Sequence, residues 1–183
     1  MTRGALQVCV LCAGLAIGCN KPPTSPSPTP PASPAQTYSV TTLSFTSDAA
    51  DYIGRGRSET FTLQNASFAA NVYGNGEHLA VTIRTISTPS THWTLLVDAP
   101  FNNTIVPGTY ETRRAYGSGD WTVDFGGDGR GCGTIYGRVV IHAFDFIPEN
   151  RALKHFRASF EQKCEGTLAS LRGEVAILAD PWR

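Results

Sequence analysis

The chain has no excess of either charge and no run of like charges. Its 183 residues include 15 Lys and Arg and 15 Asp and Glu, so the formal net charge is zero. Proteins that bind nucleic acid present a basic patch or stripe, and the sequence has none. We therefore expect no nucleic-acid partner.

The chain also has no hydrophobic run long enough to cross a membrane. Its longest apolar stretch is 5–17, interrupted by Gln7. As a helix this stretch would span roughly 20 Å, against a hydrocarbon core of about 30 Å. A transmembrane helix is excluded by length alone.

Compact catalytic and metal-binding motifs are missing as well. The histidines are His78, His92, His142 and His155, and none forms an HxH or HExxH pair. There is no CxxC pair and no GxSxG nucleophile elbow. Catalytic groups can still assemble in space from distant positions. The sequence therefore favours a non-enzymatic protein without a cofactor, with a secreted hydrolase as the opposing interpretation.

The amino-terminal segment predicts export. Residues 1–18 carry a basic residue at Arg3, a short apolar body and small residues at the end, as secretory signals do. The end of the segment, LAIGC (15–19), resembles the lipobox of bacterial lipoproteins, with Ala16 where that family usually has Leu. The resemblance implies cleavage before Cys19, acylation of Cys19 and a membrane partner. The alternative is an ordinary secretory signal in which Cys19 has no role.

The residues after Cys19 fit a lipid-anchored protein. One acyl chain holds a protein only marginally, so stable anchoring needs more than one chain, and the lipoprotein resemblance implies three. Asn20 stands where many Gram-negative lipoproteins kept at the inner membrane have Asp. We therefore expect the outer membrane of the cell envelope rather than the inner one.

Residues 19–36 predict a disordered tether. Seven of the 17 residues in 20–36 are proline, which favours an extended polyproline II conformation. At about 3.1 Å per residue this run reaches at most roughly 50 Å. Such a stalk keeps a folded domain clear of the lipid surface.

Residues 37–183 predict one all-β domain. Short segments rich in Thr, Val, Ile, Phe and Tyr alternate with Gly, Asn, Asp and Pro turns, and no segment keeps a helical period. This spacing favours a single antiparallel β-sandwich, Ig-like or jelly-roll-like, or a barrel. The predicted strands are 38–46, 58–64, 66–73, 79–87, 92–98, 109–115, 120–125, 134–146, 152–163 and 169–178.

A disulfide between Cys132 and Cys164 is predicted from a hairpin. The strands 134–146 and 152–163 turn around IPEN (147–150), and both cysteines lie 16 residues from Pro148. Folding the hairpin brings its open ends together in an oxidising compartment. The apolar residues of the first strand skip a position, which predicts a β-bulge near His142 and Ala143.

The glycine-rich stretch 116–133 is the best candidate for a site in the sequence. It holds possible ligand-binding residues of three kinds: the carboxylates Asp120, Asp124 and Asp128, the guanidinium of Arg130 and the ring of Trp121. Carboxylates on flexible loops can hold calcium, although the spacing fits no calcium-loop motif. The alternative is that Asp and Gly form turns and Trp121 belongs to the core.

A glycan site is a second possibility for the same region, because exposed aromatic rings can stack on sugars. Trp121, Tyr116 and Trp93 are the candidates. Trp93 alternates with Leu95 and Val97, however, which places it in the core.

The carboxy-terminal part resembles a domain of secreted and lipid-anchored bacterial proteins. The matching segments are GDGRGC (127–132), FRASFEQKCEG (156–166) and LRGEV (171–175). The resemblance implies an all-β fold with the two cysteines as a unit, and no activity. We expect a lipoprotein that displays a non-enzymatic binding or envelope-associated module; a calcium- or glycan-dependent module is its sharper alternative.

Overall fold

The computed structural model describes residues 41–114 and 119–178. The predicted signal peptide, Cys19 and the tether lie outside the described residues. The described residues form strands and turns, and no helix among them is long and apolar enough to span a membrane.

Ten strands lie at the predicted places. They are β1 (Thr42–Ser47), β2 (Ser58–Thr62), β3 (Ala66–Tyr73), β4 (His78–Thr85), β5 (His92–Asp98), β6 (Gly108–Arg114), β7 (Thr122–Gly127), β8 (Ile135–Ile147), β9 (Ala152–Cys164) and β10 (Leu171–Leu178). The boundaries differ from the predicted ones by a few residues. Both ends of β7 lie later in the chain than predicted, so Asp120 and Trp121 precede the strand rather than begin it.

The strands form two antiparallel sheets, so the predicted β-sandwich is confirmed. The larger sheet has the order β2-β1-β10-β9-β8-β6, and the smaller one has the order β3-β4-β5-β7. Alternate side chains of each strand point between the sheets, where they form one apolar cluster. The opposite side chains form the outer face of each sheet.

Aromatic rings fill the middle of the sandwich. The Trp93 ring is fully buried, as its alternation with Leu95 and Val97 predicts, and lies 4.9 Å from Phe45 and 5.3 Å from Phe125 between ring centroids. Phe160 of the larger sheet packs 5.6 Å from Phe125 of the smaller one. Large rings from both sheets therefore hold the layers together.

The hairpin of β8 and β9 is the longest pairing in the domain. Its strands run from Ile135, opposite Cys164, to Ile147, opposite Ala152. The register shifts between Ile141 and Ala143, which confirms the β-bulge at His142. The extra residue returns Phe144 to a position opposite the buried Phe156, so one apolar face continues along the strand.

The predicted disulfide closes the open end of this hairpin. Cys132 and Cys164 are bonded, with Cα atoms 5.3 Å apart, and both are buried. Cross-linking a loop of this length restricts the unfolded chain and stabilises the fold by about 3 to 4 kcal/mol on the chain-entropy model.

A buried amide links the two sheets beside the disulfide. Gln162 of β9 is 1% exposed and reaches the backbone of Phe125 on the edge strand β7. Its Nε2 donates to the Phe125 carbonyl at 2.8 Å, and its Oε1 accepts from the Phe125 amide at 2.7 Å. The Gln162 amide thus satisfies the N–H and C=O of Phe125 on the side of β7 where no strand pairs with it.

Gln162→Leu should destabilise the domain by about 2 to 4 kcal/mol, because it leaves a buried N–H and a buried C=O without partners. Urea denaturation of the purified domain measures this change. The neighbouring variant Lys163→Leu, on the opposite face of the same strand, should change the free energy of unfolding by no more than about 0.5 kcal/mol. Equal effects of the two variants would contradict the role assigned to the amide.

Candidate functional site

The site residues predicted from the sequence lie on the edge strand β7 and at its two opposite ends. Asp120 and Trp121 precede the strand, Asp124 lies on it, and Asp128 and Arg130 belong to the turn that follows. Tyr116 lies outside the described residues. The five described residues are therefore near one another in the chain, and their contacts decide what they can do.

Asp124 faces a guanidinium. Its carboxylate is 13% exposed and forms an ion pair with Arg114 at the end of β6. Asp120 is exposed and lies four residues away, before the strand. The charge of Asp124 is thus balanced within the protein.

Asp128 and Arg130 hold the turn in place. Asp128 has a φ of 53°, which suits Asp in a turn, and accepts from Arg130 Nη2 at 3.1 Å. The Arg57 guanidinium approaches the same carboxylate at 3.5 Å. Arg130 Nε donates to the Ile53 carbonyl at 2.9 Å, which ties this turn to the loop between β1 and β2. These contacts support the interpretation of 128–131 as turn structure.

The calcium interpretation stays a prediction. Among the described residues, no group of three His, Cys, Asp or Glu side chains is placed to hold a metal ion. Asp124 and Asp128 each contact a guanidinium rather than each other. Their arrangement serves local structure.

Trp121 is half-buried and stacked. Its ring lies 3.8 Å from that of Tyr110 on β6, with 15° between the planes. The Trp121 carbonyl also accepts from the Arg113 amide at 2.8 Å. One face of the ring is therefore occupied, which links β6 to the start of β7.

A separate recess lies on the outer face of the six-stranded sheet. It is a shallow polar groove of about 410 Å³ across the middle strands β1, β8, β9 and β10. We call it the sheet groove. Its side chains come from Ser44, Thr46, Arg138, Val140, Ser159, Glu161, Arg172 and Glu174.

The registers of the strands arrange these side chains in rows. Arg138 of β8 lies opposite Glu161 of β9, and Glu161 lies opposite Arg172 of β10. The charges therefore alternate along a row perpendicular to the strands, which avoids like charges in neighbouring positions. In the next row Ser159 separates Val140 from Glu174.

Glu161 is the most strongly held group of the sheet groove. The Ser170 hydroxyl donates to its Oε1 at 2.7 Å, and Arg172 Nη2 lies 3.3 Å from the same oxygen. The hydrogen bond from Ser170, with the nearby positive charges, lowers the pKa of Glu161 below its ordinary value. Glu161 is therefore ionised at neutral pH.

Two opposite charges of the sheet groove are not engaged in this way. Arg138 and Glu174 form no ion pair and no side-chain hydrogen bond with the described residues. Arg138 lies on β8 in the first of these rows, and Glu174 lies on β10 in the second. Strand and residue spacings put their Cα atoms about 11 to 12 Å apart. Both are free to hydrogen-bond to a ligand that lies across the groove.

A smaller hollow of about 150 Å³ continues the sheet groove past Ser159. The Ser159 hydroxyl and His142 Nε2 are 3.4 Å apart. Burial, together with the charge of Arg157, lowers the pKa of His142, so the ring is neutral at pH 7. Glu174 lines the same hollow, and its negative charge partly opposes this lowering of the His142 pKa.

Comparisons with protein-family models, with curated proteins and with solved structures find no match to this chain.

The sequence analysis drew attention to the residues around β7 and missed the sheet groove. The signal was partly present, because 155–161 alternates apolar with polar residues and predicts that Arg157, Ser159 and Glu161 share one face. The other lining residues come from strands far away in the chain, and only the register shows which of them meet.

Ser170→Ala should raise the pKa of Glu161, since it removes the hydroxyl that stabilises the carboxylate. A lowered pKa makes ionised Glu161 stabilising above the ordinary glutamate range of about 4 to 5, and this contribution is lost as the pH falls through the folded-state pKa. The variant should therefore lose less stability than the wild type on acidification.

A carboxyl-detected NMR titration measures the pKa, and urea denaturation at pH 7 and pH 3 measures the stability. Ser159→Ala is the matched control, because Ser159 lies on the same face without bonding to Glu161. An unchanged Glu161 pKa in Ser170→Ala would contradict the assigned cause.

Proposed function

We propose that this chain is a bacterial lipoprotein that displays a non-enzymatic β-sandwich binding module on a proline-rich stalk, and that the sheet groove is its binding surface. The observation that carries the binding part is the pair Arg138 and Glu174. Both are charged groups in a groove, and neither forms an ion pair or a side-chain hydrogen bond with the described residues. The anchor and stalk rest on the sequence of residues 1–36.

The lining chemistry favours a hydroxyl-rich ligand such as an envelope glycan. Guanidinium groups donate hydrogen bonds, carboxylates accept them, and the hydroxyls of Ser44, Thr46 and Ser159 do both. Positive and negative groups alternate, so the groove has no single-sign field that would select a highly charged ligand. A volume of about 410 Å³ lies within the usual range for small-ligand sites.

Anchoring and binding make sense together in this proposal. A stalk of at most roughly 50 Å holds the domain away from the lipid surface while keeping it at the envelope. A module at that position meets envelope polysaccharides at high local concentration. Binding there retains the ligand near the membrane without any chemical step.

Replacement of both Arg138 and Glu174 by Ala should abolish ligand binding without unfolding the domain. We would screen residues 37–183, which contain all ten strands and the disulfide, for thermal stabilisation by soluble peptidoglycan fragments and plant polysaccharides. A ligand at about 100 times its Kd adds roughly 2.7 kcal/mol, or several degrees in Tm. The double variant should lose this shift.

Arg84→Ala is the matched control, since Arg84 is exposed on the other sheet and should leave the shift unchanged. If Trp121→Ala loses the ligand-induced rise in Tm and the groove variant keeps it, the site lies at the start of β7 and the proposal is contradicted. Chemical conversion of a test saccharide during the screen would contradict the proposal that the module is non-enzymatic.

Cys19→Ser should abolish acylation and release the protein from the membrane. Expression in a Gram-negative host with labelled palmitate measures acylation, and fractionation measures location. The wild type should carry label and sediment with outer-membrane vesicles, while the variant should carry none. Unlabelled, soluble protein in both cases would instead support an ordinary secretory signal.

A further inference from the structure

The strand β3 forms an open edge of the four-stranded sheet. It pairs with β4 along Ala66–Tyr73. Apart from these bonds, it makes no backbone hydrogen bond to any described residue. Such an edge presents unpaired N–H and C=O groups, which can pair with another strand.

The other sheet edges are each protected. The edge strand β2 has only five residues and carries Glu59, which pairs with Arg57 at 3.0 Å. The edge strand β6 carries Glu111, Arg113 and Arg114. On β7, the amide of Gln162 occupies the backbone of Phe125. Charged side chains, short length and covering groups are the usual means of preventing edge pairing.

The edge strand β3 has none of these protections. Its sequence ASFAANVY has eight residues without a charge, a proline or a glycine. Its register with β4 runs from end to end without a bulge. It is therefore a regular strand, ready to accept a partner along its whole length.

We propose that β3 pairs antiparallel with β3 of a second copy of this chain, so that two four-stranded sheets join into one of eight strands. The two-fold axis passes between Ala69 of one copy and Ala69 of the other. It places Phe68 opposite Ala70 of the second copy on the inner face, and Ser67 opposite Asn71 on the outer face. In each pair the two side chains lie on the same face of the joined sheet, as antiparallel pairing requires. The large Phe68 meets a small residue, and the half-buried pair Phe68 and Ala70 gains cover.

Self-pairing is favoured over other partners by the charges of the edges. Two β3 strands bring no charged side chains together, whereas pairing of β3 with β2 or β6 of another copy would leave charged residues beside an uncharged, partly apolar edge. A two-fold pairing also closes, since it consumes the open edge of both copies and stops at a dimer.

Sedimentation equilibrium of residues 37–183 should show a dimer at tens of micromolar, and Ala69→Lys should shift it to monomer. Ala69 is exposed, so the variant should keep its fold and its circular dichroism spectrum. Two lysines would face each other across the axis, which opposes pairing. Thr82→Lys, on the same outer face but on β4 beside Ala69, is the matched control and should stay dimeric.

Ala69→Cys tests the register directly. Opposite residues of an antiparallel pair lie within disulfide reach, so oxidation should give a covalent dimer. Thr82→Cys should not cross-link. Wild-type protein that is monomeric at all concentrations, a dimer that survives Ala69→Lys, or no cross-link at Ala69→Cys would each overturn the proposal. None of these results depends on the anchor or on the sheet groove.

Discussion

The pairing of β8 with β9 is the constraint on which the rest of the domain depends. Its register places Gln162 against the backbone of Phe125 and Cys164 within reach of Cys132. The same register places Arg138 opposite Glu161 on the other face. A slip by one residue would exchange the faces of a strand, so it would break the core, the inter-sheet amide bridge and the sheet groove together.

The core accepts large rings only because two positions lack a side chain. A Cβ at Gly173 of β10 would overlap the Phe160 ring, and one at Gly127 of β7 would overlap the Trp93 ring. Glycine inside a strand weakens it, and here the close approach of a ring requires it. Phe160 and Gly173 also line the sheet groove. Core packing and groove shape thus share residues.

The sequence was enough to predict the features that depend on neighbours in the chain. Alternation located the strands, and the skipped position in β8 located the bulge at His142. The disulfide followed from the symmetry of two cysteines about one turn. What could not be predicted was the meeting of residues far apart in the chain. The sheet groove combines Ser44, Arg138 and Arg172 because the strands lie in the order β1, β10, β9, β8. No local pattern specifies that order.

The same limit applies to the glycine-rich stretch, whose role as a site stays a prediction. A cluster of Asp and Arg in the sequence does not reveal which charges pair, and here Asp124 contacts Arg114 from another strand. Asp124 and Asp128 thus pair with nearby guanidinium groups, while ordinary strand residues line the sheet groove.

The charges of Arg138 and Glu174 in the sheet groove are not explained by stability. Exposed ion pairs contribute about 0 to 1 kcal/mol each, and Arg138 and Glu174 form none with the described residues. Neutral Thr and Ser would suffice to keep the outer face of a sheet in water, as they do at Ser44 and Thr46. Ser170 and Arg172 both hold the Glu161 carboxylate, so in the proposed binding surface this acceptor is oriented before a ligand binds. Preorganisation of this kind lowers the entropy cost of binding, which is the contribution that a folded sheet makes and a flexible loop does not.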